Sequence, residues 1–418
     1  MKVTKRQTSN VKRQEVYLDH AATTPVDGRV IKAMMPFFDT CYGNPSSLHA
    51  PGQKAHKAVT DARNSIAGLL NAHVDEMVFC SGGTESDNLA ILGTVNMSKA
   101  ELKRMYGKNA VPHVVTSAIE HPAVLEPLLK LEYRGEIELT QIKPGANGVV
   151  AAEDVFKAIK SNTVLVTIML ANNEIGTIQP IAEIGKLILK HRKVNGSIYP
   201  YFHTDACQAA GYLDLNVEKL HVDLLTLNGG KIYGPKGVGL LFVRRKTRIE
   251  PQVYGGGQER RLRSGTENVP GIAGLATALD IAQAKREKES ERIAKLRDRL
   301  IKGLLKIEKS RLNGDAKNRL PNNVNVSFMD IEGEAAMLYL DAKGVYCSTG
   351  SACASTSLDP SHVILALGMS YEAAHGSMRL TLGKSTTKKD VDYVVTIMPG
   401  IVRRLREISP VSLDMKQF

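Results

Sequence analysis

The sequence contains no tryptophan, and aromatic residues supply only 5% of it, so its core has to be built from aliphatic side chains. Long hydrophobic runs are missing too: no apolar stretch approaches the roughly 18 residues that a membrane-spanning helix needs. Cysteine is scarce, with five residues at positions 41, 80, 207, 347 and 353. Their odd number, irregular spacing and lack of any Cys-x-x-Cys pair argue against a disulfide framework and a structural zinc site. No metal is expected, and a reducing cytoplasm is the natural home. Acidic residues are outnumbered, 43 against 55 basic ones, for a net charge of +12. The positive residues are nonetheless spread along the chain, and the densest stretch, Lys285 to Arg292, alternates in sign like a solvated helix face, so a dedicated nucleic-acid domain is not expected. Residues 1–13 carry neither Asp nor Glu and no apolar segment. They read as a basic extension and not as a secretory signal, with a short mitochondrial presequence as the alternative.

What is present is the grammar of a large α/β enzyme. With 418 residues, 43% of them hydrophobic, the chain is long enough for two or three domains. Short apolar runs of buried-strand type occur at Val114–Thr116, Val164–Leu170, Leu224–Leu227 and Gly239–Val243, with amphipathic helices between them at Ala55–Leu70 and Ile181–Lys190. This alternation predicts a mainly parallel sheet. Gly271 to Lys309 reads as one long or broken helix linking two domains. Strand and helix patterns then alternate through Asn323–Phe328, Glu332–Leu340, Val345–Cys347, Ser361–Leu367 and Met378–Leu382, ending in a helix from Thr387 toward Glu407 that Pro399 should kink. The expected division is a large domain over 15–270, a small α+β domain over 271–418, and an extension over 1–14 that could pack on the small domain.

Three patterns carry chemistry. Lys231, between glycines and just after a buried strand, is a candidate Schiff-base amine, since a desolvated lysine loses its proton readily. Among 55 basic residues most are surface charges, so the context carries the assignment. Phe79 to Leu92 reads as strand, glycine turn and helix start, in which Thr84 can cap the helix, Asp87 completes a capping box, and free amides cradle a phosphate. A plain turn into a helix is the alternative. Asp205 and Gln208, ahead of Lys231, could hold a pyridine nitrogen protonated and donate to a phenolate oxygen, the two handles that pyridoxal phosphate requires. Cys353 sits among the small residues of Ser348 to Ser357. That setting favours a thiol that can be carried through space over a packed core cysteine, whereas Cys347 looks like an ordinary strand residue.

Tyr17-Leu-Asp-His-Ala-Ala-Thr-Thr-Pro25, Gly43-Asn-Pro-Ser, Ser81-Gly-Gly-Thr-Glu-Ser, Glu120-His-Pro-Ala-Val, Asn172-Asn-Glu-Ile-Gly, His203 to Gln208, Lys231 to Gly237, Arg263-Ser-Gly-Thr266, the Cys353 loop and Arg379-Leu-Thr-Leu-Gly together resemble the cysteine desulfurases. These belong to the class V aminotransferase group of fold-type I pyridoxal-phosphate-dependent transferases, on the branch serving iron–sulfur cluster assembly and tRNA thiolation. The resemblance spans nearly the whole chain. It implies conversion of L-cysteine to alanine, with the sulfur left on Cys353 as a persulfide and passed to an iron–sulfur scaffold or another acceptor protein.

The resemblance also implies roles. Lys231 would hold pyridoxal 5'-phosphate and move protons, and His121 would stack on the cofactor ring. Asp205, Gln208 and Asn173 would contact the ring, Asn173 also touching substrate, while Gly83, Thr84 and Asn228 would cradle the phosphate. Arg379 would clamp the substrate carboxylate. Thr266 would reach the phosphate of a neighbouring subunit, which makes a homodimer. His121 read without the family would be a satisfied core histidine, and Thr266 a loop threonine. The chain departs from the family at Asn228 and Gly230, where serine and histidine are usual. A hydrogen bond to a charged group is worth about 1.5–3 kcal/mol, so the loss at Gly230 weakens cofactor binding unless the Gly229 and Gly230 amides form a substitute nest. Two other readings remain at this stage: a selenocysteine lyase, and a catalytically weak scaffold of a sulfur-transfer complex.

Overall fold

The structure is a computed structural model and describes residues 15–350 and 359–409. Its described residues form twelve strands: β1 (Val16–Tyr17), β2 (Met77–Cys80), β3 (His113–Ser117), β4 (Glu138–Ile142), β5 (Thr163–Thr167), β6 (Tyr201–Asp205), β7 (Leu224–Asn228), β8 (Gly239–Val243), β9 (Ser310–Leu312), β10 (Asn323–Phe328), β11 (Val345–Tyr346) and β12 (Ser377–Thr381). Seven of them make one sheet in the order β2-β8-β7-β6-β5-β3-β4. The β4-β3-β5-β6-β7 pairs are parallel, and only β8 runs against its neighbours. Both faces are covered, one by a cluster that includes Val115, Val166, Phe202, Leu225 and Phe242, the other by Val114, Leu165, Tyr201, Leu224 and Leu241. Burial on both faces explains why these strands read as continuous apolar runs rather than alternating ones.

The later part of the chain forms a separate antiparallel sheet, β12-β10-β9, on which we propose that a small domain is built. Its core packs Val324, Val326, Met378 and Leu380 against the helices Arg286–Leu304 and Lys388–Ile408. The last helix continues through Pro399 and starts at the capping box of Thr387 and Asp390. Near the chain start, Val16 and Leu18 join this same core, because β1 pairs in parallel with β11.

The linking helix is broken, as one of the two expected forms had it: Val269–Ala284 and Arg286–Leu304 meet at Lys285. The first half, rich in Ala and Leu, buries Val269, Leu275 and Leu279 in the large core. The second half is charged and buries only Ile293, Arg297, Leu300 and Leu304. We therefore propose that the division of the chain falls at Lys285 and not at 270, and that the first strand belongs with the small domain.

Candidate active site

The carboxyl ends of the parallel strands converge on a cavity of about 190 Å³. A doubly wound sheet leaves its crevice there, because the strands end and the following chain turns away to opposite faces. The cavity is lined by Gly83, Thr84, Asp87, His121, Asn173, Asp205, Gln208, Asn228, Lys231 and Arg379, among others. Of the residues singled out in the sequence, Thr266 does not line it; it lies in a separate cleft with Ser81, Gly265 and Glu267. Cys353 falls outside the described residues.

The end of the cavity expected to take a phosphate is a bare helix N-terminus. The helix Gly83–Tyr106 has Gly82 as its N-cap and no side-chain cap, which corrects the expected capping by Thr84 and the capping box through Asp87. Glu85 instead accepts from Ser81 N at 2.9 Å and pairs with Arg263 Nε at 2.9 Å. Thr84 sits inside the first turn. Uncapped amides at the start of a 24-residue helix form an anion site. A Cβ on Gly83 would come within 2.9 Å of Cys207 Sγ and 3.5 Å of Asn228 Nδ2, so glycine is what leaves the cradle open.

Asn228 completes that end. Its Oδ1 accepts from Gly230 N at 3.0 Å, which leaves the Nδ2 donor beside Gly83. Gly229 N donates to Val238 O at 3.1 Å. Both glycine amides are thus already used, and the substitute nest considered from the sequence is not formed.

Lys231 Nζ donates to Ala21 O at 2.9 Å and to Ala22 O at 2.7 Å. The segment carrying these carbonyls is fastened over the lysine: Thr24 N and Oγ1 both donate to Gly230 O at 3.0 Å, and Tyr233 N donates to Thr24 Oγ1 at 2.8 Å. Gln208 Nε2 also donates to Ala21 O, at 3.0 Å, leaving one amide proton for another acceptor.

Asp205 ends β6 and holds Cys207 N at 2.8 Å. Two further acids lie near it. Desolvation, reinforced by the charge of Asp205, pushes the Asp87 carboxyl well above the usual range. Burial likewise pushes Glu120 up to about 8, although its Oε1 accepts from Ser117 Oγ and Met169 N. Burial lowers His203 to about 4, and this neutral ring is joined to Thr167 Oγ1 at 2.8 Å and Thr226 Oγ1 at 3.1 Å. Burial thus favours the neutral forms of Asp87 and Glu120, and Asp205 lines the cavity beside them.

His121 caps the helix Pro122–Tyr133, with Nδ1 accepting from Ala123 N at 3.1 Å. That bond puts the ring proton on Nε2, and burial lowers the pKa of the ring. Arg379 is 2% exposed; it pairs with Asp19 at 2.9 Å and donates to Asn173 O at 3.3 Å, while its Nε has no partner. An unpaired donor on a buried guanidinium is costly, and an anionic ligand would satisfy it. Asp19 was legible only as part of a motif, with no role attached.

Three of the other cysteines are held from ionising. Burial raises Cys80 and Cys347 to about 12 and Cys207 well above its ordinary value.

Residues 16–394 match the family model described as Aminotransferase class-V, and the chain belongs to this family. It is 48% identical over 403 residues to a Cysteine desulfurase IscS of Methanosarcina thermophila, covering 96% of each chain. It is 46% identical to the protein of the same name from Dictyoglomus turgidum, over 97% of this chain and 98% of that one. Among solved structures, a NifS-like protein superposes with a TM-score of 0.85 at 35% identity, covering 94% of this chain and all of that one. SspA in complex with cysteine superposes at 0.76 and 36% identity, over 88% and 99%. The fold is therefore fold-type I, and the family depends on pyridoxal 5'-phosphate. The donor set fits that group: free helix amides and an Asn228 amide for a dianion, an acid on the floor for a ring nitrogen, and an amine for an aldehyde.

Proposed function

We propose that this chain is a pyridoxal-phosphate-dependent cysteine desulfurase that takes sulfur from L-cysteine, releases L-alanine and passes the sulfur to an acceptor protein. The observation that carries the reading is the meeting of Asp205, Lys231 and Arg379 on one cavity in a chain so similar to desulfurases. When bound, the cofactor supplies an electron sink that loosens bonds at the carbon bearing the substrate nitrogen.

The chain's own residues do the rest. Arg379 orients the substrate carboxylate, and Asp19 keeps the guanidinium in place. Asp205 would hold a proton on the cofactor's ring nitrogen. His121 would lie against the cofactor ring, Gly83, Thr84 and Asn228 would anchor its phosphate, and Thr266 would reach the phosphate of a neighbouring subunit. Lys231 is the residue that would hold the cofactor through its aldehyde, and its amine would move a proton at the substrate Cα. The Cys353 thiolate attacks the substrate sulfur: a sulfur–sulfur bond forms, the carbon–sulfur bond breaks with its electron pair going to carbon, and a proton completes alanine. The products, alanine and a protein persulfide, balance cysteine plus a thiol.

A homodimer is supported by the position of Thr266 away from its own cavity and by exposed apolar residues such as Phe38, Tyr42 and Leu48. No helix among the described residues is long and apolar enough to cross a membrane. The four described cysteines are unpaired, which supports a reducing compartment such as the cytoplasm.

The test is direct. Purified protein incubated with pyridoxal phosphate, L-cysteine and a reductant should release alanine and sulfide in equal amounts. No alanine above a cofactor-only control would sink the reading, and a scaffold role would then be favoured.

A further inference from the structure

Tyr233 stands two residues beyond Lys231 with a φ of 64°. Left-handed backbone is rare for so bulky a side chain and persists only where the surroundings enforce it. Here both backbone groups are held: Tyr233 N donates to Thr24 Oγ1 at 2.8 Å, and the Tyr233 carbonyl accepts from Asp27 N at 2.9 Å. Both partners belong to the segment whose Ala21 and Ala22 carbonyls receive the Lys231 amine. The turn and that segment therefore carry the lysine as one unit.

The side chain of Tyr233 reaches a third part of the chain. Its hydroxyl accepts from Lys384 N at 2.7 Å. Lys384 Nζ lies 4.0 Å from the ring centroid and 3.5 Å from Asp27 Oδ2. Lys384 follows β12, the strand that carries Arg379. The junction after β12 is close-packed: a Cβ on Gly383 would fall 2.1 Å from His20 Nε2, and His20 Nδ1 lies 3.0 Å from Thr381 O. Tyr233 is 9% exposed and does not line the cavity of Asp205 and Arg379. It lines a second cavity, of about 160 Å³, and among the described residues Lys231 alone lines both. Removing the ring would open space directly against the lysine.

We propose that Tyr233 is a positioning residue for Lys231. Its hydroxyl fixes the lysine turn against the strand end of Arg379, and so sets the reach of the amine to the Cα of a substrate whose carboxylate Arg379 holds. The inference rests on the reading of Lys231 as the group that moves the Cα proton. A hydroxyl that only stabilised the fold would, when removed, lower thermal stability or cofactor affinity and leave the rate of the loaded enzyme unchanged.

The experiment uses holoenzyme in deuterated water with L-alanine as the probe, which isolates the proton step from sulfur transfer. The Cα proton passes to the Lys231 amine, exchanges with solvent and is replaced by a deuteron, so no other reactant is consumed. Proton NMR gives the exchange rate at saturation and the half-saturating alanine concentration, and the cofactor dissociation constant is measured alongside. Tyr233→Phe keeps the ring and should slow exchange at saturation by about tenfold, the worth of one hydrogen bond, while the other two readouts change little. Tyr233→Gly relaxes the backbone, since glycine adopts a positive φ without steric cost, yet it should be slower still than Tyr233→Phe because the ring is gone. Unslowed exchange in Tyr233→Phe, a Tyr233→Gly variant as fast as wild type, or a loss of cofactor affinity that accounts for the loss of rate overturns the proposal. A wild-type enzyme that binds alanine but exchanges no Cα proton overturns the reading of Lys231 itself, and the proposal with it.

Discussion

Lys231 and Cys353 divide the proposed chemistry between an amine and a thiol, and each can be removed alone. Lys231→Ala should abolish turnover and leave no cofactor that borohydride can fix to the protein; a borohydride-stable adduct in that variant would refute the assignment. Cys353→Ser should keep the cofactor and still change absorbance with L-cysteine, yet form no persulfide by intact-mass spectrometry. Cys347→Ser is the control, because burial holds its thiol at about 12, far from a thiolate at neutral pH. Loss of the persulfide in Cys347→Ser but not in Cys353→Ser would reverse the two roles.

Among the elements, the strand-to-helix turns at the ends of β2 and β7 are those expected to decide how tightly the phosphate is held. Asn228 is the only side chain of the Asn228-Gly229-Gly230 turn facing the helix start, and its Oδ1 is occupied by Gly230 N. Asn228→Ala should weaken cofactor binding by roughly tenfold or more, the worth of one hydrogen bond to a charged group. A Cβ at 230 meets nothing closer than 3.5 Å, so Gly230→His has room and should tighten binding by up to about tenfold. Equal or weaker binding in Gly230→His would show that Asn228 and the helix amides already saturate the phosphate. Nearby, Glu259, Arg260 and Arg261 all adopt left-handed φ angles of 44°, 56° and 66°. Arg63, paired with the buried Glu259 at 2.5 Å, and Phe79 N on Glu259 at 2.9 Å hold this unusual backbone in place. The loop that presents Thr266 is thereby built on a fixed base.

At the scale of the whole molecule, assembly and pH come into play. If Thr266 completes a neighbour's phosphate site, dilution below the dimer's dissociation constant or Thr266→Ala should release cofactor, measured by dialysis against buffer; a monomer with full occupancy would contradict this. Glu120 adds a pH dependence whose sign follows from linkage. Its folded value of about 8 lies above its ordinary 4.5, so the native state binds the proton more tightly than the unfolded chain. Its contribution is fully present below about 4.5 and is lost as pH rises toward 8. His203, lowered to about 4, acts oppositely between about 4 and 6.5, so the wild-type profile alone would mix the two. Glu120→Gln isolates the first: the variant's stability relative to wild type should grow by roughly 1–3 kcal/mol between pH 5 and 8, read from urea unfolding. A difference that does not change with pH would mean that Glu120 ionises freely.

The sequence by itself determined the elements and the chemical parts. Buried strands such as Leu224–Leu227 and Asn323–Phe328, the glycine turn before Gly83, and the acid-then-lysine order of Asp205 and Lys231 all rest on neighbours a few residues apart, where periodicity and turn chemistry act. Only the tertiary structure decided what those parts touch. The Asn228 amide is aimed by Gly230 and Gly83, Asp19 becomes the counter-ion of Arg379 from 360 residues away, and Ser361 finds Glu174 across 187 residues. The domain division we propose rests on the same kind of contact, because β1 closes on β11 and the helix Val269–Ala284 folds back on the large core. Such pairings depend on how the crossovers of the sheet bring distant strand ends together, and no local pattern of residues encodes that path.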